Sequence, residues 1–105
     1  MINKYLEIYT MASTYEIQPY THLMAYKYGV KAVVSGNPKK KIDVLDFNNN
    51  YICSIGDIKF GDYPTFFKER GADFAERRRD LYHRRHSKHK DKIGSKSFYA
   101  SRLLW

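Results

Sequence analysis

The sequence has too little cysteine and too few long apolar runs for several classes of protein. Its one cysteine is Cys53, so a disulfide framework is excluded, and the apolar setting YICSI predicts a buried free thiol. No run approaches the roughly 20 apolar residues of a membrane span. The opening residues, MINKYLEIYTM, lack the apolar stretch of a secretory signal. We therefore expect a protein that is made and kept in a reducing compartment.

Arginine is missing from the first two thirds of the chain. Residues 1–67 carry seven lysines, no arginine and six acidic residues. Residues 68–105 carry twelve lysines and arginines against five acidic residues, so this third holds nearly all of the net charge of +8. Such an uneven distribution predicts one surface that meets a negatively charged partner, which could be nucleic acid, an acidic protein face or lipid headgroups.

What the sequence does have is enough apolar and aromatic content for one folded domain. The 105 residues are 43% hydrophobic and include ten tyrosines, which excludes a disordered polar tail. Tyrosine combines apolar area with a polar tip, and this combination suits protein interfaces. Residues 1–25 hold several of these tyrosines and few charges. We predict that they form an extended N-terminal arm that lies on the domain or on a neighbouring subunit.

From residue 26 the chain is typical of an antiparallel meander. Apolar and β-branched runs alternate with turn signals: the cluster Ser35-Gly36-Asn37-Pro38, the loop Asn48-Asn49-Asn50 and the pair Gly56-Asp57. Asparagine and glycine accept the left-handed backbone conformation that tight turns need. We predict three or four strands between about residues 26 and 60.

After Gly71 the pattern becomes helical. The run ADFAERRRDLYHRRHSKHK has no glycine or proline and carries acidic residues in its first turns, where they favour the helix dipole. We predict a basic helix over about residues 72–92, ended by Gly94-Ser95, and then a short helix or an extended closing segment. The fold class is therefore α+β, with a single small domain over residues 26–105.

The stretch ERRRDLYHRRHSKHK, residues 76–90, holds most of the positive charge. On a helical wheel with about 100° per residue, Arg78 and Arg85 fall within the same stripe as the apolar residues Phe74, Leu81 and Tyr82. We predict that these two arginines clamp the helix to the sheet. The candidate acidic partners for this clamp are Asp57 and Asp62. The exposed cations left to contact a partner or phosphate are Arg77, Arg79, Arg84, Lys88 and Lys90.

The composition of this stretch also suits three other kinds of site: a phosphate-binding surface, a metal site and a catalytic site. Phosphate contact needs only accessible cations, but no zinc-finger spacing, RNP-like aromatic motif or helix-turn-helix is present for reading bases. His83, His86 and His89 recur every three residues, which is a poor match to zinc sites, so we predict no metal or other cofactor. No nucleophile, base and orienting group form a recognisable catalytic set, so we expect no enzyme activity.

The order of motifs in the second half of the chain resembles a small basic protein family of giant viruses, the nucleocytoplasmic large DNA viruses. In that family a short meander precedes a pattern of the form FGDY…ERRxxYxxRH…LW. The resemblance covers about residues 30–105. The matching residues here are Phe60, Gly61, Asp62, Tyr63, Glu76, Arg77, Arg78, Tyr82, Arg85, His86, Leu104 and Trp105.

The resemblance implies a virion protein that is made in the host cytoplasm and placed in the capsid. Its partners would be the major and other minor capsid proteins, in an assembly of many copies. We therefore expect a non-enzymatic minor capsid or cement component. The alternative is an accessory protein that binds nucleic acid without sequence preference. Trp105 has its own expectation, because an indole ring is costly to leave in water and should pack within the domain or against a neighbour.

Overall fold

The predicted meander is a three-stranded antiparallel sheet in the computed structural model, which describes residues 12–105. The strands are β1 (Lys31–Val34), β2 (Lys40–Leu45) and β3 (Tyr51–Asp57), in the spatial order β1-β2-β3. Four helices accompany the sheet within residues 12–105, so the α+β class is confirmed. No helix within residues 12–105 is long and apolar enough to cross a membrane.

The asparagine loop between β2 and β3 makes the tight turn that its residues predict. Asn49 has a φ of 67°, in the left-handed region that asparagine tolerates. The Asp46 carboxylate accepts hydrogen bonds from the backbone N–H groups of Asn48 (2.8 Å) and Asn50 (2.9 Å). This side-chain cap fixes the hairpin and, with it, the register of the two strands.

One face of the sheet carries the apolar core. Ile42 and Ile55 are paired across β2 and β3, and Val44 pairs with Ala32 of β1. Ile42, Val44 and Ile55 are completely buried, as expected where a sheet face is covered by helices. Cys53 is a half-buried free thiol beside this core.

The first helix of the described residues, α1 (Pro19–Lys27), corrects the prediction of an extended arm through residue 25. Proline at the helix start supplies the φ angle that a first turn needs. The Thr21 hydroxyl donates a 2.8 Å hydrogen bond to the Leu103 carbonyl, and Ala25 packs in the core. Residues 13–18 have no regular secondary structure, and residues 1–11 of the predicted arm lie outside the described residues.

Two consecutive helices follow the sheet: α2 (Tyr63–Arg70) and α3 (Ala72–Arg85). They are joined at Gly71, whose φ of 85° is one that L side chains rarely adopt. The basic helix ends at Arg85, earlier than the predicted residue 92. The backbone N–H of His86 donates to the Tyr82 carbonyl at 3.0 Å, and the His86 ring Nδ1 lies 2.9 Å from the same oxygen. Turns then follow to the last helix, α4 (Lys96–Leu103).

The buried face of α3 differs from the predicted one. Ala75 and Tyr82 are its buried residues, whereas Leu81 is 45% exposed. On the wheel these two buried residues lie at about 80–100° from Phe74. The difference arises because Tyr82 packs on Trp105 of the closing segment, which turns the helix away from the stripe centred on Phe74 and Leu81. Arg78 and Arg85 consequently lie at the edge of the packed face, where both are exposed.

The closing segment, which consists of Leu104 and Trp105 after α4, joins the helices to the sheet. Leu103, Leu104 and Trp105 belong to the same core cluster as Ile42 and Ile55. The prediction that Trp105 packs within the domain or a neighbour is confirmed within the domain, since the side chain is 9% exposed.

Candidate functional site

Eight of the twelve residues that carry the giant-virus resemblance line a single cleft of about 570 Å³. The cleft opens between the end of β3, helix α3 and the closing segment. Residues from three distant stretches of sequence therefore meet at one place. The eight are Phe60, Gly61, Arg78, Tyr82, Arg85, His86, Leu104 and Trp105, and the other lining residues are Lys41, Gly56, Asp57 and Ala100.

A stack of three aromatic rings forms one wall of this cleft. The Tyr82 and Trp105 rings are parallel within 8° with centroids 4.6 Å apart, and His86 stacks on Tyr82 at 4.0 Å. Tyr82 and Trp105 are each 9% exposed, so the stack is mainly a packed support for the cleft. Burial raises the pKa of the Tyr82 hydroxyl, and the nearby Arg85 charge partly opposes this rise.

The two predicted clamp arginines lie on the cleft without acidic partners among residues 12–105. Arg78 places its guanidinium carbon 5.5 Å from the centroid of the Phe66 ring, a cation–π distance. Arg85 lies one residue before the helix cap and lines the same cleft. Both side chains can therefore offer a guanidinium fork to an anion in the cleft.

Asp62 has a different partner from the predicted one. Its carboxylate accepts 2.8 Å hydrogen bonds from the Lys41 ammonium and the Tyr15 hydroxyl, and a 2.9 Å bond from the Thr65 backbone N–H. The prediction of an arginine clamp through Asp62 is wrong because this residue is the N-cap of α2. Capping directs the carboxylate toward β2, where Lys41 approaches, and the pair is almost fully buried. Burial raises the pKa of Tyr15 well above its usual value, and the Asp62 charge raises it further.

Asp57, the other predicted acidic partner, lies at the same cleft as Arg78 and Arg85 but forms no ion pair with either. Its carboxylate accepts a 2.9 Å hydrogen bond from the Lys59 backbone N–H, in the turn after β3. This local hydrogen bond competes with an ion pair between Asp57 and either arginine. The prediction brought the correct residues together and assigned the wrong bonds.

Two glycines make room for the cleft and its floor. A Cβ at Gly56 would lie 2.8 Å from Leu104 Cδ1, and a Cβ at Gly61 would overlap the Phe66 ring. Gly56 also has a φ of 78°, which favours glycine. At Gly61 the close approach of the Phe66 ring leaves no room for a side chain.

Two other pattern residues bind each other across the helix pair. The Tyr63 hydroxyl donates a 2.9 Å hydrogen bond to Glu76 Oε1, and the Tyr63 backbone N–H donates to the Leu104 carbonyl at 2.9 Å. Tyr63 therefore connects α2 to α3 and to the closing segment, which holds the cleft walls in place.

The five predicted outer cations do not form one surface. Arg77, Arg84 and Lys88 are exposed and have no acidic partner within the described part of the chain. Arg79 instead lies over the Tyr63 ring, 4.7 Å from its centroid. Lys90 is half-buried and lies 3.6 Å from the Asp91 carboxylate. Only the first three are free to contact a partner as predicted.

The three histidines of the basic stretch lie in different environments. Burial lowers the pKa of His83, and the Lys90 charge lowers it further. His86 belongs to the aromatic wall, and His89 is exposed in the turns after α3. No group of three or more His, Cys, Asp or Glu side chains that could hold a metal ion occurs between residues 12 and 105.

Sequence reasoning missed Lys41 and Tyr15, which complete the bonds of Asp62. One signal was available, because an Asp followed two residues later by Pro64 is typical of a helix N-terminus. It would have placed the Asp62 carboxylate on backbone N–H groups rather than on arginine. The lysine could not be singled out, since Lys39, Lys40 and Lys41 are adjacent and only the register of β2 decides which one is buried.

Comparison of the chain with protein-family models, curated proteins and solved structures finds no match. The resemblance to the giant-virus family therefore rests on the pattern residues alone.

Proposed function

We propose that this chain is a non-enzymatic structural protein of a giant-virus particle, a minor capsid or cement component that binds neighbouring capsid proteins. The observation that carries the proposal is the convergence of the pattern residues on one open cleft. Residues that served only the core would be buried together, whereas Arg78 and Arg85 are exposed at the cleft. Exposed, clustered residues of this kind are typical of a binding surface.

The chemistry of the cleft supports binding rather than catalysis. Its ionisable residues are mainly cations, and its aromatic wall is packed within the domain. The nearby Asp62 carboxylate already accepts three hydrogen bonds, so it has little capacity left for proton transfer. Binding an anionic group to paired guanidinium groups requires none of these residues to change protonation state.

A second, apolar surface supports a place within a larger assembly. Tyr26 of α1 is 75% exposed and Phe47 of the β2–β3 loop is 54% exposed, and their rings lie 6.1 Å apart. Neighbouring exposed rings are enriched at protein interfaces. A component with a cationic cleft and an aromatic patch can contact two neighbours, as a cement protein must.

Crosslinking mass spectrometry on intact particles of the source virus tests this proposal. Lys59 follows the cleft residue Asp57, and Lys88 lies in the exposed turns after α3. We expect both lysines to crosslink to capsid proteins. Absence of the chain from purified particles, or adducts formed mainly with nucleic acid, would contradict the proposal.

Nucleic-acid binding is the second candidate function, and one observation favours it. Arg77, Arg84 and Lys88 are exposed and unpaired among the described residues, which is all that contact with phosphates requires. The base-reading elements that sequence-specific recognition needs are not among the motifs of the chain. This candidate therefore concerns sequence-independent binding.

A further inference from the structure

We infer that the cleft binds an acidic segment of a partner protein, in which two carboxylates of a Glu-x-Glu or Asp-x-Asp sequence pair with Arg78 and Arg85. The inference rests on the proposed function and deepens it, because it states the chemistry of the partner at that site. It follows from the charge, the spacing and the size of the cleft.

The charge at the cleft is positive and uncommitted. The Lys41 ammonium is neutralised by Asp62 at 2.8 Å. Arg78 and Arg85 have no such partner among residues 12–105. Asp57 lies in the same lining but forms no ion pair with either arginine, so both guanidinium groups are available to the carboxylates of a ligand.

The spacing of the two arginines suits an extended peptide. Arg78 and Arg85 are seven residues apart on α3, which places their Cα atoms about 10 Å apart along the helix axis. In an extended chain, alternate side chains point the same way and lie about 7 Å apart. Two long arginine side chains can converge on carboxylates at that separation, and each guanidinium fork can bind a carboxylate through two hydrogen bonds.

The size and walls of the cleft favour a peptide over nucleic acid. A volume of about 570 Å³ accommodates a few side chains and lies within the range of ligand pockets. The Tyr82 and Trp105 rings already stack on each other and are largely buried, so they offer no free face to a base.

The single tryptophan of the chain provides the test, because Trp105 forms part of the cleft wall. Intrinsic fluorescence of the full chain is followed during titration with a blocked peptide containing Glu-Leu-Glu, and with its Gln-Leu-Gln counterpart. We expect saturation by the acidic peptide below about 1 mM and no saturation by the amide peptide in the same range.

Three variants assign the binding to the cleft. Arg85→Gln and Arg78→Gln are each expected to weaken binding of the acidic peptide by about 10-fold or more, the loss typical of a charge-assisted hydrogen bond. Arg84→Gln is the matched control, since Arg84 is exposed on the same helix outside the cleft. It should change the affinity by less than about twofold. Circular dichroism confirms that each variant is folded before titration.

Three results would overturn the inference: equal binding of the amide peptide, an equal loss in Arg84→Gln, or a single-stranded oligonucleotide that quenches Trp105 at lower concentration than the peptide. Particle crosslinking separates this failure from failure of the proposed function. Crosslinks to capsid proteins without peptide binding would leave the structural role standing and remove only the acidic partner. Peptide binding without capsid crosslinks would support the acidic-peptide site and contradict the proposed role in the capsid.

Discussion

Lys41 and Asp62 form a buried ion pair in which each partner depends on the other. Lys41→Met would leave the Asp62 carboxylate buried with only the Tyr15 hydroxyl and the Thr65 N–H as donors. We expect the free energy of unfolding to fall by about 3–5 kcal/mol, the usual cost of an uncompensated buried charge. Urea denaturation followed by circular dichroism measures this change.

The double variant Lys41→Met/Asp62→Asn tests the cause, because asparagine removes the charge and can still cap α2. We expect the double variant to recover more than half of the free energy of unfolding that Lys41→Met loses. The neighbouring Lys40→Met, in the same strand without an acidic partner within the described residues, is the control. A cost below about 1 kcal/mol for Lys41→Met would place the pair among weak surface ion pairs and contradict the argument.

Gly61 is required because the Phe66 ring occupies the space of a side chain, and not because of its backbone conformation. A Cβ there would overlap the Phe66 ring, which packs against Phe74 at 5.2 Å and Trp105 at 6.1 Å. We expect Gly61→Ala to lower the free energy of unfolding by about 1–3 kcal/mol, because the displaced ring disturbs both contacts. Gly36→Ala is the matched control, since nothing lies within 4 Å of its Cβ position. Similar effects of the two substitutions would show that Phe66 moves at little cost.

Among the elements, α3 contains a group that links stability to pH. Burial and the Lys90 charge lower the pKa of His83 below its ordinary value of 6.5. A hydrogen bond with the Trp105 backbone partly opposes this shift, and the Arg79 and Arg102 charges add smaller decreases. The unfolded chain therefore takes up a proton before the folded one as the pH falls. The contribution of His83 to stability is complete above about pH 6.5 and is lost as the pH falls through the lowered pKa.

Comparing the free energy of unfolding at about pH 7.5 and about pH 5 measures this effect. We expect a smaller pH-dependent loss in His83→Gln than in the unmodified chain, and no such reduction in His89→Gln, whose side chain is exposed. Asp43 does not interfere in this window, because its lowered pKa acts below its ordinary value of 3.8. An equal pH dependence with and without His83 would contradict the assignment.

The closing segment after α4 holds the other elements together through two residues. The Leu104 carbonyl accepts the Tyr63 N–H, and Trp105 stacks on Tyr82. We expect Trp105→Ala to cost about 3–5 kcal/mol, as for other large aromatic residues removed from a core. Leu23→Ala on α1, where the leucine is 70% exposed, should cost far less. Urea denaturation monitored by circular dichroism compares the two, and equal costs would show that the indole does not support the fold.

The elements differ in how well the sequence predicts them. The sheet was predictable because its turns use residues with special backbone freedom, such as Asn49 with its positive φ. Helix α1 was missed because its buried residues are the small Thr21 and Ala25, which give no apolar periodicity. Helix α2 is not among the predicted elements, although proline is frequent in the first turn of a helix and Pro64 lies there.

The sequence predicts which residues meet at the candidate site, but it does not predict which of them form hydrogen bonds or ion pairs. The motif pattern brought together Arg78, Arg85, Tyr82 and Trp105, and the structure places all four at the cleft. The partner of Asp62 depends on which lysine the register of β2 buries, and this is a property of the tertiary structure. Local spacing along a helix cannot specify it.

At the scale of the whole molecule, the cations of residues 76–90 that are free to contact a partner are divided between the cleft and an outer surface. On the helical wheel Arg77 and Arg84 lie roughly 100° from Arg78 and Arg85, and they do not line the cleft. Lys88 is also exposed, in the turns beyond the end of α3, and it is grouped with Arg77 and Arg84 as the outer cations. The net charge of +8 therefore does not act as one patch, and the two surfaces can be removed separately.

The triple variant Arg77→Gln/Arg84→Gln/Lys88→Gln removes the outer surface alone. Binding of the unmodified chain to random duplex DNA should weaken with salt, with a log–log slope of about −0.9 for each phosphate neutralised. We expect the triple variant to make this slope shallower by about 2–3, while the affinity for the Glu-Leu-Glu peptide changes by less than about twofold. Arg78→Gln/Arg85→Gln should abolish peptide binding and leave the salt slope of DNA binding unchanged, because the cleft then has no unpaired cation and the outer cations remain. Equal losses of peptide and DNA binding in both variants would show one continuous cationic surface, and the division between a protein-binding cleft and an outer phosphate-binding surface would then be wrong.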